Sequence, residues 1–396
     1  MSKSRLPAGI WALGMVSLLM DFSSEMIHGL LPLFLTGVIG LGAISVGLIE
    51  GLAEATASLV KLYSGALSDR LGKRKALALA GYALSALTKP MFPLADSALT
   101  VLTARFIDRI GKGIRGAPRD ALVADLTAPD QRGAAFGLRQ GLDTVGAVLG
   151  PLVAVTLMML TGNDFRLVFW VATVPAVLAV AVLALAVREP KLARPGTARP
   201  GTVSTVPLAP LRSRLAGLDR SFTTTVGLAA VLTLARFSEA FLILRAGESG
   251  LALAWVPLVM VVMSLTYTAS AYPLGRLSDR LGRQGLLAVG CAILVAADVV
   301  LAIATTPWLV FAGAALWGLH MGCTQGLLSA LVADAAPANA RGTAFGVFHL
   351  VTGVAAFVSS VIAGVTWQYY GAPVPFMIGA ALAAAALAGF VIKIRR

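Results

Sequence analysis

The chain has 396 residues, of which 58% are hydrophobic and 13% charged, with a mean hydropathy of +0.84. Soluble domains carry about a quarter charged residues, so this composition excludes an ordinary soluble domain and points to an all-α, polytopic membrane protein. A formal charge of +13 would suit nucleic acid, but the basic residues concentrate in short segments between apolar runs, the pattern of one membrane face, and no nucleic-acid partner is expected.

Apolar runs of about 20 residues, the length a bilayer core demands, fall at 9–36, 44–67, 76–95, 99–126, 133–160 and 165–187, then at 222–246, 252–275, 285–304, 308–333, 342–366 and 373–393. The first, within MSKSRLPAGIWALGMVSLLM, resembles a signal peptide. It runs on through Asp21 and Glu25 without a small-residue cleavage site, however, and reads as a retained span. Residues 188–220 are rich in Pro, Gly and Arg and read as a cytoplasmic linker. Two bundles of six helices, 1–187 and 221–396, flank it. Lys3, Arg5, Arg70, Lys73, Arg74, Lys75, Arg132, the linker, Arg280, Arg283, Arg341, Lys393, Arg395 and Arg396 share one side, whereas opposite loops such as TGVIGLGA are almost free of Lys and Arg. The positive-inside rule therefore places both termini in the cytoplasm, with the chain multi-pass in the inner (cytoplasmic) membrane. Cys291 and Cys323 lie inside apolar runs and read as small core residues rather than a disulfide framework.

The halves repeat. GALSDRLGKRK at Gly65 returns as GRLSDRLGRQG at Gly275, and ADLTAPDQRGAAFG at Ala124 as ADAAPANARGTAFG at Ala333, at nearly one offset. The GxLSDRLGxR segments resemble motif A of the major facilitator superfamily, and helix count, linker and orientation agree along essentially the whole chain. DRIGKGIRGAPRDAL in the fourth helix resembles a prokaryotic branch of that superfamily. The resemblance implies alternating access of two six-helix bundles about a midplane site. It also implies a cytoplasmic gate from Gly65, Asp69, Arg70, Gly72 and Arg74 with Asp125, and from Gly275, Asp279, Arg280, Gly282 and Arg283 with Asp334. Gly137, Gly146, Gly150 and Pro151 resemble motif C, which that family associates with antiporters, although Ala154 and Val155 replace its closing glycines. Export is favoured slightly on that ground. Close helix packing is the plainer reading of the same glycines.

The fourth run is unlike the others. On a helix with Arg105 at zero, Arg105, Asp108, Arg109, Lys112, Arg115, Arg119 and Asp120 fall within an arc of about 140°, with Asp125 alone outside it. At the equivalent second-half positions stand Ala314, Trp317, Gly318 and Met321 in place of Arg105, Asp108, Arg109 and Lys112, so the scaffold does not require charge there. A charge at a helix centre costs about 2.5–3.5 kcal/mol on insertion scales, and intramembrane ionisable groups mark solute or proton pathways. Asp21, Glu25 and His28 share one face of the first helix, Glu50, Glu54 and Lys61 one face of the second, and Arg139 and Asp143 are i,i+4 neighbours on the fifth. Counted along each helix, Glu25, Glu50 and Arg105 share an outer level. Asp21, Glu54, Arg109 and Asp143 lie near the midplane, and Lys61, Arg115 and Arg139 further in. These stripes together carry no net charge, so the fourth helix reads as the basic wall of a balanced polar cavity, with a rigid structural network as the competing reading.

Arg105, Arg109 and Lys112 are candidates to receive an anionic group. Asp21, Glu25, Glu50, Glu54 and Asp143 are candidates to exchange a proton, because burial disfavours a charged carboxylate. In the second half, Arg236 and Glu239 at i,i+3 read as a local ion pair or a solute contact, Arg245 and Glu248 as rim charges, and Lys89 and Asp298 as isolated. His320 and Cys323, also at i,i+3, carry a metal or metal-chelate alternative, with His28 and His349 in support. No nucleotide loop, nucleophile–base pair or HExxH spacing appears, so neither enzyme chemistry nor a cofactor is expected. The sequence thus predicts a proton-coupled secondary transporter for a small polar, anionic or chelating solute, working as a monomer in the lipid bilayer. A non-transporting sensor on the same fold is the other alternative.

Overall fold

The apolar runs are helical throughout the computed structural model, which describes residues 6–71, 73–127, 131–188, 220–335 and 341–395, and no strand occurs among them. In lipid every backbone N–H and C=O must be satisfied within its own segment, and helices do this. The first span comes in two pieces, α1 (Ala8–His28) and α2 (Leu31–Gly37). Pro32 explains the interruption: it has no N–H to give, and its ring collides with the carbonyl four residues back, at His28. Within the first turn of a new helix the same proline is tolerated. Then follow α3 (Ala43–Leu71), α4 (Arg74–Thr88), α5 (Ala98–Asp125), α6 (Arg132–Leu160) and α7 (Phe165–Ala186). Ser97 and Asp164 cap α5 and α7 by accepting from Thr100 N at 3.3 Å and Leu167 N at 3.1 Å.

The second half also opens on an interrupted span, α8 (Arg220–Ala235) and α9 (Ala240–Glu248). Next comes α10 (Leu258–Ile303), two spans joined where Gly282 turns the chain at φ 73° and ψ 154°, a conformation open to glycine alone. The last three helices are α11 (Pro307–Ala335), α12 (Arg341–Tyr370) and α13 (Pro373–Arg395). Nine stretches of the described residues are long and apolar enough to cross a membrane. The twelve spans counted in the sequence are these nine together with α4, α5 and α11, which pack among them. Charge on α5, and the 15-residue length of α4, set those two apart.

Within the first half α1 packs on α6 and α7, and α5 on α3 and α4; within the second, α10 packs on α11 and α13, and α8 on α12 and α13. The halves meet along α3 with α12, α6 with α10, and α2 with α9. The seam between α3 and α12 is a wedge. A methyl on Gly364 would lie 2.6 Å from the Ala43 carbonyl oxygen, one on Gly51 3.1 Å from that of Phe357, and one on Gly353 3.4 Å from the Ser58 Cβ. Gly47 admits the Ser360 carbonyl more closely still, so the helices touch most tightly in the part away from the chain termini and loosen towards the terminus-bearing end. At that sealed end α2 and α9 lie together, Leu31–Leu35 and Ala240–Ala246 all buried. Aromatic rings fill the core of each half, Phe34, Phe92, Phe165 and Phe169 in one and Phe237, Phe241, Trp317, Trp367 and Phe376 in the other.

Candidate functional site

Behind this seal lies a cavity of about 490 Å³, lined by both halves. The first half contributes Glu25 and His28 from α1, Glu50, Glu54 and Ser58 from α3, and Arg109 and Lys112 from α5. The second contributes Thr233, then Arg236 to Glu239 from the gap between α8 and α9, Gln325 and Leu328 from α11, and Phe348, Thr352, Gly353, Ala356 and Ser360 from α12. Most second-half lining is uncharged and carries no signal in the sequence beyond a few polar residues in apolar helices.

The levels read from the sequence bring acids and bases together. Arg105 holds Glu50 in a buried two-point pair, Nε to Oε1 at 3.0 Å and Nη2 to Oε2 at 2.7 Å. His28 stands between two acids, Nδ1 3.7 Å from Glu25 and Nε2 3.5 Å from Glu50. Arg109 reaches Glu54 only loosely, at 3.9 Å, and its buried Nε has no hydrogen-bond partner among the described residues. Lys112, Arg236 and Glu239 line the same cavity, and none has an ion-pair partner within 4.0 Å among the described residues.

The charged stripe of α5 faces two ways. Its centre, Arg109 and Lys112, looks into the cavity; one edge, Asp108 and Arg115, turns to α4. Asp108 accepts from Lys89 Nζ at 3.3 Å, and Lys89 also donates to Ser24 Oγ at 3.1 Å, tying α1, α5 and the end of α4 together. Lys89 is therefore not isolated, and Asp108 belongs to this structural tie rather than to the cavity wall. Arg115 donates to Ser85 Oγ and lies over the Tyr82 ring at 4.8 Å. Arg105, placed by the sequence among groups free to receive an anion, is already occupied by Glu50. Arg139, Asp143 and Arg119 form a separate cluster, with Asp143 3.8 Å from Arg139 and 4.0 Å from Arg119. Asp21 has Asp143 and Lys112 as charged neighbours, and Lys61 is exposed on α3. None of Asp21, Lys61, Arg105, Asp108, Arg115, Arg139 and Asp143 lines the cavity itself.

In the second half the helical spacing of Arg236 and Glu239 misleads. The chain leaves the helix after Ala235 and re-enters it at Ala240, so both side chains project into the cavity without forming a local pair. Backbone groups freed by the break find partners on α12: Ser238 N donates to Ser360 Oγ at 3.3 Å, and Ser359 Oγ donates to Leu234 O at 2.6 Å, as irregular backbone at membrane depth requires. Arg245 is no rim charge. It is buried, and its guanidinium donates to the last carbonyls of α10, Leu301 O at 2.9 Å, Ala302 O at 3.1 Å and Ala304 O at 2.7 Å. Glu248 accepts from Trp367 Nε1 at 3.0 Å. Asp298 is fully buried with neither oxygen hydrogen-bonded among the described residues.

The metal alternative does not assemble. His320 is fully buried with Nδ1 2.8 Å from Gly290 O, and Cys323 packs with it against α10 where Gly290 admits α11. No group of three or more possible ligands occurs among the described residues.

Of the cytoplasmic gate, one contact falls among the described side chains: Arg74 Nη1 lies 3.0 Å from Asp125 Oδ2, which explains why Asp125 stands off the stripe. Gly282 supplies the turn noted above. Gly65, Asp69, Arg70, Gly72, Gly275, Asp279, Arg280, Arg283 and Asp334 lie outside the residues whose side chains are described. In α6, Gly146 and Gly150 bring α1 close, a methyl on Gly150 falling 2.7 Å from Phe22 O, whereas nothing stands within 4 Å of Gly137.

Two six-helix halves around a shared polar cavity define a membrane transporter. The sequence pattern of the Major Facilitator Superfamily matches residues 13–257 and again 230–396, and the chain belongs to that family. It is 29% identical over 385 residues to an uncharacterized MFS-type transporter of Methanocaldococcus jannaschii, covering 96% of this chain and 93% of the relative. It is also 33% identical over 141 residues to the multidrug resistance protein MdtH of Proteus mirabilis, 36% of this chain and 34% of that protein. Among solved structures, the nucleoside transporter NupG shares the fold with TM-score 0.76 at 12% identity, covering 98% of this chain and 99% of that one. An inward-facing bacterial homologue of the lysosomal transporter Spinster does so with TM-score 0.74 at 16% identity, covering 99% and 96%.

Proposed function

We propose that the chain is a proton-coupled secondary transporter that carries a small polar solute with an anionic group across the cytoplasmic membrane by alternating access. The observation that carries this reading is the cavity itself: sealed at one end, lined by both halves, and holding charges with no ion-pair partner within 4.0 Å among the described residues. The basic loops support cytoplasmic termini; on that orientation the wedge between α3 and α12 opens inwards, which makes this the inward-open conformation. Arg109, Lys112 and Arg236 receive the anionic group. The proton resides among Glu25, Glu50, Glu239 and His28, where a carboxylate without its counter-charge is disfavoured by burial. Arg74 and Asp125 belong to the gate that fastens the inner helix ends when the protein faces outward. Residues 188–220 link the bundles, and one chain in the bilayer, which supplies the whole cavity, is the working unit. The charged fourth helix supports the resemblance to a prokaryotic branch of the family. Export is the direction we favour, on the glycine pattern of α6 and the partial likeness to MdtH.

The test is reconstitution in liposomes loaded with a pH-sensitive dye and challenged with organic anions under imposed gradients. Solute movement should alkalinise or acidify the lumen in proportion to flux. Replacing Glu25, Glu50 and Glu239 in turn by Gln should uncouple at least one from proton movement. Proton dependence left intact in all three variants defeats this placing of the proton, flux indifferent to pH in the parent protein defeats the coupling itself, and no flux of any solute points to a sensor on the same fold.

A further inference from the structure

We infer that the cavity is shaped for an amphoteric solute, one bearing an anionic and a cationic group about one helical turn apart. The inference rests on the transporter reading and names its substrate class. Acids predominate towards the sealed end of the cavity and bases towards the open end. Towards the sealed end Glu25 and Glu50 flank His28, and Glu239 has His28 and Glu25 as its foremost charged neighbours. Towards the open end stand Arg109 and Lys112 with Glu54 beside them, and Arg236 from the other half lies between the two groups, with Glu239 and then Glu54 as its charged neighbours. Helix α3 measures the step between these poles, because Glu50 belongs to the acidic group and Glu54 to the basic one. Four residues of helix are roughly 6 Å.

The pairing already described decides which valences are free. Glu50 is taken by Arg105, Glu25 has His28 at 3.7 Å, and Glu54 has Arg109 loosely at 3.9 Å. At the basic pole Lys112, Arg236 and the Nε of Arg109 remain, in position for a carboxylate or phosphate held between the two halves. At the acidic pole Glu239 remains, with no ion-pair partner within 4.0 Å among the described residues and with His28, Glu25 and Arg236 as its charged neighbours. A purely anionic solute answers the first pole and leaves Glu239 unanswered once water is excluded, and a purely cationic one does the reverse. A molecule carrying both signs satisfies the two together, and desolvated charges are tolerated only when paired. Because Lys112 and Arg236 come from opposite halves, the anionic group would also draw the open end together.

The measurement is binding of a matched series to the full-length protein in micelles, by tryptophan fluorescence titration: glycine, 4-aminobutyrate, 5-aminopentanoate, butyrate and butylamine. The two longer amino acids should bind about tenfold or more tightly than butyrate and butylamine, with glycine, whose charges lie too close, falling behind them. Glu239→Gln should collapse the ratio of 4-aminobutyrate to butyrate towards one, and Lys112→Gln or Arg236→Gln should weaken both carboxylates alike. Equal binding of butyrate and 4-aminobutyrate, an unchanged ratio in Glu239→Gln, or no binding by any of the series overturns the inference. Liposomes separate it from the parent reading. Proton-linked flux of butyrate without preference for the amino acids leaves the transporter standing and removes the amphoteric site; the binding preference without flux does the opposite.

Discussion

The Glu50–Arg105 pair offers the sharpest energetic test. Both side chains are nearly inaccessible, at 5% and 3% exposure, and two charge-assisted bonds of 3.0 and 2.7 Å join them. Replacing Glu50 by Leu strips a buried guanidinium of the one acid within 4.0 Å of it among the described residues, leaving Asp108 and Glu25 further off. Breaking one side of such a pair costs about 3–5 kcal/mol, and Arg105→Met should cost a similar amount through the stranded carboxylate, which His28 at 3.5 Å answers only in part. Replacing both at once removes the two desolvation penalties together, so Glu50→Leu with Arg105→Met should fall within about 1 kcal/mol of the parent. The singles and the double therefore differ from additivity by several kcal/mol, far beyond the roughly 0.5 kcal/mol scatter of independent sites. Reversible urea unfolding in mixed micelles, followed by far-UV circular dichroism, gives the four free energies of the cycle. If the double variant loses the sum of the two singles, or Glu50→Leu loses less than about 1 kcal/mol, the guanidinium is solvated and the reasoning fails.

Three further outcomes can be checked, the first two in the same unfolding assay. Gly150→Ala should cost about 1–3 kcal/mol by forcing α1 from α6, whereas Gly141→Ala, with nothing within 4 Å, should be neutral or gain up to about 1 kcal/mol in helix propensity; equal effects would refute the packing role. Arg245→Lys should behave like Arg245→Ala, each losing about 2 kcal/mol or more, because a lysine point charge cannot serve three carbonyls from a fixed fork. Arg74→Asp should slow solute flux in liposomes, and combining it with Asp125→Arg should restore it at least in part; a double variant no better than the single would show that the pair has no part in the gate.

Charge and repetition carried much of this architecture into the sequence. The levels of Glu50 with Arg105 and Glu54 with Arg109 follow from counting residues along helices, since the second and fourth spans run in the same direction and their lengths fix depth. The stripe of α5 was legible as a stripe, but a single helix cannot say that Asp108 and Arg115 turn to α4 while Arg109 and Lys112 face the cavity; that division depends on where neighbouring helices stand. Arg236 and Glu239 were read at helical spacing, and no proline or glycine between them announces the break. Arg245 eluded the sequence for another reason: its partners are backbone carbonyls, which every residue carries and no pattern distinguishes. The second-half lining on α11 and α12 is mostly uncharged, so nothing in its composition separates it from packing surface.

The two short helices at the sealed end have a mechanical consequence. Seven residues in α2 and nine in α9 make stubs of roughly 10 and 14 Å, too short to persist as helices by themselves. Each keeps its form by resting on its own bundle and on the other stub. A plug made this way acts as a pair of hinged lids, jointed at Pro32 on one side and at the Arg236–Glu239 break on the other. The joints lie next to the cavity charges, so on the proposed reading a solute that engages Glu239 or His28 would bear on the hinges directly, without any relay through the helices between.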